Sequence, residues 1–150
     1  MNITTQNDLL LNKLMLYYNK DDNLEKMLNI INGKSNISLR IVDWFATNYS
    51  KKNYTVYSIN KNNITERFKV YNDYKLNLKA YSKKRFDPFC RWDRITIPYK
   101  NNTHIQTTLG QLNFFKWALE NQVIDYIEKN YEIIDIDMNM RNSYTSNKNK

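Results

Sequence analysis

Glycine, proline, cysteine and histidine are scarce in this 150-residue chain, which holds two, two, one and one of them. Gly33 and Gly110 stand far apart, so no glycine-rich loop is available to cradle phosphates. A lone cysteine, Cys90, excludes an internal disulfide. With no signal-peptide pattern at the start, it points to a reducing intracellular compartment. His104 follows Cys90 by fourteen residues, a spacing that matches no recognised metal site or catalytic pair. We therefore expect no metal, no cofactor and no enzymatic chemistry. Long apolar stretches are missing too. The best, Leu9 to Leu16, is broken by Asn12 and Lys13, well short of the roughly 20 residues that span a bilayer. No membrane partner is expected.

What the chain has instead is asparagine, aromatic surface and one-sided charge. The 24 Asn accompany abundant Lys and Ile and few Ala, the mark of AT-rich coding. That excess devalues the glycosylation acceptor patterns at Asn36, Asn48, Asn53 and Asn63. Twelve Tyr, six Phe and three Trp supply apolar area for one core, at a length that suits a single domain. The net charge of +8 is concentrated: residues 34–100 carry fifteen Lys and Arg against five acids, whereas the flanking segments each come to −1. A localised field of that sign draws in anionic partners.

Periodicity gives an α+β domain, predominantly α, over residues 1–138, followed by a flexible polar tail at 139–150. About five helices are expected: 8–18, 24–31, one from Ser35-Asn36-Ile37-Ser38 to Lys51-Lys52-Asn53, 64–81 and 109–129. Residues 54–59 and 94–99 are the candidates for a small two-stranded β-ribbon. In the fourth helix, Ile64, Phe68, Tyr71, Tyr74, Leu78 and Tyr81 form one apolar arc, with Lys69, Lys75, Lys79 and Lys83 in a stripe beside it. The fifth reads as the central core helix, capped by Thr108 and Gln111. Glu128, Glu132, Asp135 and Asp137 read as a solvated acidic face.

Residues 79–94 are the most informative segment. Lys79, Lys83, Lys84, Arg85, Arg91 and Arg94 alternate there with Tyr81, Phe86, Phe89 and Trp92. Basic side chains neutralise phosphates, and exposed aromatics stack on unpaired bases. Phe86, Phe89 and Trp92 are expected more as core plugs than as ligand contacts, with Trp92 kept as the stacking candidate. Asp87-Pro88 reads as a turn; the alternative is that Asp87 or Asp93 orients Arg91 or Arg94 through charge-assisted hydrogen bonds. Expected nucleic-acid contacts are Lys51, Lys52, Lys75, Lys79, Lys83, Lys84, Arg85, Arg91, Trp92 and Arg94.

Three blocks, SLRIVDWFATNYSKK (38–52), KAYSKKRFDPFCR (79–91) and TTLGQLNFFKWA (107–118), resemble an uncharacterised protein family of the nucleocytoplasmic large DNA viruses, mimivirus-like giant viruses in particular. The similarity covers roughly residues 37–138. It implies no catalytic residue. What it implies is a setting, the host cytoplasm and its viral factories, where a basic protein meets DNA ahead of RNA and has viral proteins for neighbours. The expected function is sequence-tolerant nucleic-acid binding in genome organisation, packaging or transcription. The alternative is a structural or adaptor virion protein whose basic face contacts an acidic protein, with Leu9-Leu10-Leu11 as its apolar contact.

Overall fold

The computed structural model describes residues 5–148. Along the chain run α1 (Gln6–Tyr18), α2 (Asn23–Ile31), α3 (Leu39–Trp44), a π turn (Phe45–Tyr49) and α4 (Ser50–Lys52). Then come β1 (Val56–Lys61), β2 (Ile64–Lys69), α5 (Val70–Arg85), β3 (Arg94–Pro98), a 3₁₀ turn (Lys100–Asn102) and β4 (His104–Thr108). The chain closes with α6 (Leu109–Glu120), α7 (Val123–Lys129) and α8 (Tyr131–Lys148). Because α3, the π turn and α4 are continuous, the described residues form seven helices and two small antiparallel sheets. They cluster into two compact units, Met1–Leu28 with Asn77–Glu120 and Asn29–Leu76 with Asn121–Lys150.

In the first unit, α1 opens on a complete capping box: Thr5 Oγ1 accepts from the Asp8 N–H, and the Asp8 carboxylate accepts from the Thr5 N–H. Leu10, Leu14 and Tyr18 recur at four-residue steps and are buried, and the Tyr18 hydroxyl donates to the Leu112 carbonyl of α6. Helix α6 is apolar on most sides, with Leu112, Phe114, Phe115, Trp117 and Ala118 all buried. That pattern belongs to an interior helix. The β3–β4 hairpin feeds directly into α6, with Arg94 opposite Thr108 and Pro98 opposite His104.

In the second unit, Ser38 caps α3 by accepting from the Ile41 N–H. Thr47 within the π turn that follows, and Ser50 just after it, donate their hydroxyls back to the Asp43 and Ala46 carbonyls four residues earlier. An aromatic cluster joins its elements. Tyr126 lies 5.1 Å from Tyr57 and 5.4 Å from Phe45, centroid to centroid, and Tyr57 lies 5.5 Å from Phe68. The Tyr57 hydroxyl donates to the Asn121 carbonyl at 2.7 Å. Burial, with the nearby Asp125 charge, pushes the Tyr57 phenol well above its usual range.

The main correction concerns residues 64–69. Their three-or-four spacing reads as the start of a helix, but they form β2, paired with β1 through Tyr57 opposite Phe68 and Lys61 opposite Ile64. Asn62 and Asn63 decide this. Both hold positive φ, at 52° and 65°, the conformation a two-residue hairpin turn requires and one Asn tolerates. The single expected ribbon is therefore two hairpins, each strand pairing with its sequence neighbour. The fifth expected helix is two, interrupted where Gln122 adopts φ 59°. Residues 139–148, expected in a flexible tail, continue α8 as helical backbone, and 149–150 lie outside the described residues. These changes raise the helix count from five to seven.

Candidate nucleic-acid interface

Seven of the ten expected contacts belong to the first unit and three to the second. In the first unit the site is built around the loop between α5 and β3. Ser82, at φ 64°, kinks α5 before its basic end. Lys79, Lys83 and Lys84 are exposed there. Arg85 is half-buried and donates to the Gln6 side chain at 3.2 Å. Phe86 turns inward, 1% exposed, against Phe114 at 5.3 Å and Trp117 at 5.6 Å. It plugs the core as expected. Phe89 and Trp92 do not: they are 48% and 63% exposed.

Their exposure is not slack in the loop, because the backbone beneath them is tied down. The Cys90 N–H donates to the Asp87 carbonyl, closing a turn over Pro88-Phe89, and the Asp87 carboxylate accepts from the Phe89 N–H. Three side chains around the start of α6 then hold loop carbonyls: Asn113 to Arg85 at 2.9 Å, Gln111 to Pro88 at 3.0 Å and Thr108 to Cys90 at 3.2 Å. The Asp87 N–H donates to the Gly110 carbonyl at 3.2 Å. Gly110 permits this approach. A Cβ there would lie 2.8 Å from the Cys90 Cβ and 3.1 Å from the Lys84 carbonyl oxygen.

Beyond the turn, Asp93 adopts φ 56° and the chain enters β3. Arg91 and Arg94 are exposed and take part in no ion pair among the described residues. The alternative, pairing with Asp87 or Asp93, is therefore not formed among the described residues. Both arginines instead line a cavity of about 180 Å³ with Cys90, Gln106, Thr107, Thr108 and Gln111, and that lining contains no acid. Cys90 is itself buried, its thiol directed to the Lys84 carbonyl at 3.2 Å, while His104 is exposed at the hairpin end.

Strand alternation adds residues that composition alone does not single out. Arg94, Thr96 and Pro98 of β3 and His104 and Gln106 of β4 are exposed, whereas Ile97 and Thr107 are buried. Gln106, opposite Thr96, shares the outer face with Arg94. The period of two in β3 was the signal for this face.

The second unit uses its expected contacts differently. The Lys52 ammonium lies 2.8 Å from Asp137, which also accepts from the Trp44 indole at 3.0 Å. Burial alone would raise the Asp137 pKa. The Lys52 and Trp44 hydrogen bonds and the Lys52 and Arg141 charges outweigh it, so the carboxyl sits below its ordinary value. The Lys51 ammonium lies over the Tyr71 ring, 5.5 Å from its centroid. Lys75 is exposed on α5.

No described helix is long and apolar enough to cross a membrane. No solved structure matches this chain. "Uncharacterized protein L507" of Acanthamoeba polyphaga mimivirus is 49% identical over 129 residues, which cover 83% of this chain and 48% of that protein. The chain thus spans about half the length of the curated relative it matches. The giant-virus resemblance read from the three sequence blocks is borne out. A family model described as a family of unknown function, DUF7197, matches residues 2–150, and the chain belongs to that family.

Proposed function

We propose that this protein binds nucleic acid without reading its sequence and performs no catalysis, through the 86–93 loop and the outer face of the β3–β4 hairpin. Its setting would be the handling of viral DNA in the host cytoplasm, in genome organisation, packaging or transcription. One observation carries the reading. Trp92 is 63% exposed between Arg91 and Arg94, neither of them ion-paired among the described residues, on a loop whose carbonyls are held by the Thr108 and Gln111 side chains. Lys79, Lys83 and Lys84 extend the positive field. Phosphate contacts of this kind give affinity that falls steeply with salt.

Fluorescence anisotropy with mixed-sequence DNA and RNA at several salt concentrations tests this. Micromolar or tighter binding that weakens steeply with salt, and weakens further in Lys83→Ala/Lys84→Ala, is expected. No binding at low salt would end the reading. The adaptor alternative then gains, supported by Ile133, Ile136 and Met140, which leave α8 with exposed apolar side chains at 60%, 57% and 66%. In the first unit Leu9, 59% exposed on α1, is a separate apolar candidate for such a contact.

A further inference from the structure

We infer, resting on the nucleic-acid reading above, that the ligand is a single strand: one unpaired base stacks on Trp92 while a neighbouring phosphate enters the cavity between Arg91 and Arg94.

Charge alone does not choose between one strand and two, since lysines serve either. The aromatics do. In a duplex the base faces are covered by their neighbours and only edges are offered in the grooves. A flat indole gains from a base only when that base is unstacked. Trp92 is the most exposed of the three Trp whose surroundings are described: Trp117 is 6% exposed and Trp44 donates to Asp137. Phe89, three residues earlier on the same loop, offers a second apolar surface at 48% exposure.

Phe86 shows that this loop is able to bury an aromatic, so the exposure of the other two is a property of their positions. The backbone sets those positions. Asp87 ties the turn beneath Phe89, and Cys90 is fixed through its carbonyl to Thr108 and through its thiol to the Lys84 and Trp92 carbonyls. The left-handed Asp93 then ends the loop at once. A surface held this way loses little conformational freedom on binding, which favours stacking over non-specific adhesion.

The cavity supplies the second contact. At about 180 Å³ it has room for one phosphate with some of its water. Arg91 and Arg94, neither of them in an ion pair among the described residues, share its lining with Gln106. Arginine forks match phosphate oxygens better than lysine does. Base on Trp92 and phosphate at Arg91 and Arg94 are contacts one flexible strand makes together.

The test titrates the full chain with a labelled oligothymidylate and with a blunt duplex of equal length, reading anisotropy and intrinsic Trp fluorescence. Single-strand affinity should exceed duplex affinity by about tenfold or more. Trp92→Ala should lose about tenfold on the single strand and nothing on the duplex. Trp92→Phe should retain most of the affinity while losing the fluorescence quench, a result that misfolding would not produce. Equal binding to both ligands, indifferent to Trp92→Ala, would overturn the single-strand inference and leave the nucleic-acid reading standing. No binding to either would overturn both.

Discussion

In the second unit Lys52 pairs with Asp137 at 2.8 Å and Lys51 lies over Tyr71, whereas in the first unit Arg91 and Arg94 line a cavity that contains no acid. Both regions show the same signal in the sequence, basic residues beside aromatics. They differ in what the fold supplies as a partner. Asp137, its side chain 14% exposed, needs a cation near it, and Lys52 serves that need. Among the described residues no acid does the same for Arg91 or Arg94. A basic cluster in a sequence is therefore a candidate site only after its internal partners are subtracted.

The comparison is broken most severely inside the loop itself. Phe86→Ala should cost about 3–5 kcal/mol, since it empties a fully buried position beside Phe114 and Trp117. Phe89→Ala, three residues on, should change stability by no more than about 0.5 kcal/mol. Urea denaturation of the two variants checks this, and similar losses would mean that the loop does not divide its aromatics as described.

Gly110→Ala comes next. In an ordinary helix Ala would gain about 1 kcal/mol over Gly. Here the added Cβ meets Cys90 and the Lys84 carbonyl, so we expect a net loss of about 1–3 kcal/mol. A raised melting temperature would show that the loop does not rest on α6 so closely.

The second unit gives a smaller and pH-dependent effect. The Asp137 carboxyl is held below its ordinary value by Lys52 and Trp44, so it stabilises the folded state fully above that ordinary value. The contribution disappears as pH falls through the lower folded-state value. Asp137→Asn should cost about 1 kcal/mol at neutral pH, given that Lys52 is largely solvated, and less at an acid pH below the ordinary carboxylate range. Urea midpoints at the two pH values measure the difference. A constant cost would place the stabilisation elsewhere.

Much of the fold was legible where one side chain acts on its own stretch of chain. The Ser38 cap, the stop at Lys52 and both first strands follow from local preference and alternation. The second strand is hidden because Ile64, Phe68 and Tyr71 fall at helical spacing, and the Asn62-Asn63 pair does not stand out in a chain with 24 Asn. In a chain with two glycines, asparagine takes four of the nine non-glycine left-handed positions among the described residues: Asn62, Asn63, Asn101 and Asn102 all have positive φ. Helix α8 was hidden for a different reason. It buries Ile134 and Met138 but exposes Ile133, Ile136 and Met140, so its apolar residues mark no single face.

At the site, the basic loop and Trp92 were read directly from residue type. Whether Arg91 was paired or Phe89 exposed was not, because both depend on side chains distant in sequence, those of Gln111 and Asn113 among them. One compositional fact bears on this segment. No Asn occurs between Asn77 and Asn101, so the bias that fills the rest of the chain does not account for it.

The most direct test is the salt dependence of single-strand affinity in three proteins: the wild type, Arg91→Ala/Arg94→Ala and Lys51→Ala/Lys52→Ala. Each lost phosphate contact lowers the slope of log affinity against log salt by about 0.7. The arginine variant, which gives up the one phosphate held between Arg91 and Arg94, should lose about 0.7 of slope, and the lysine variant should keep the wild-type slope. The reverse pattern, or equal losses in both, would contradict the assignment of binding to the loop of the first unit.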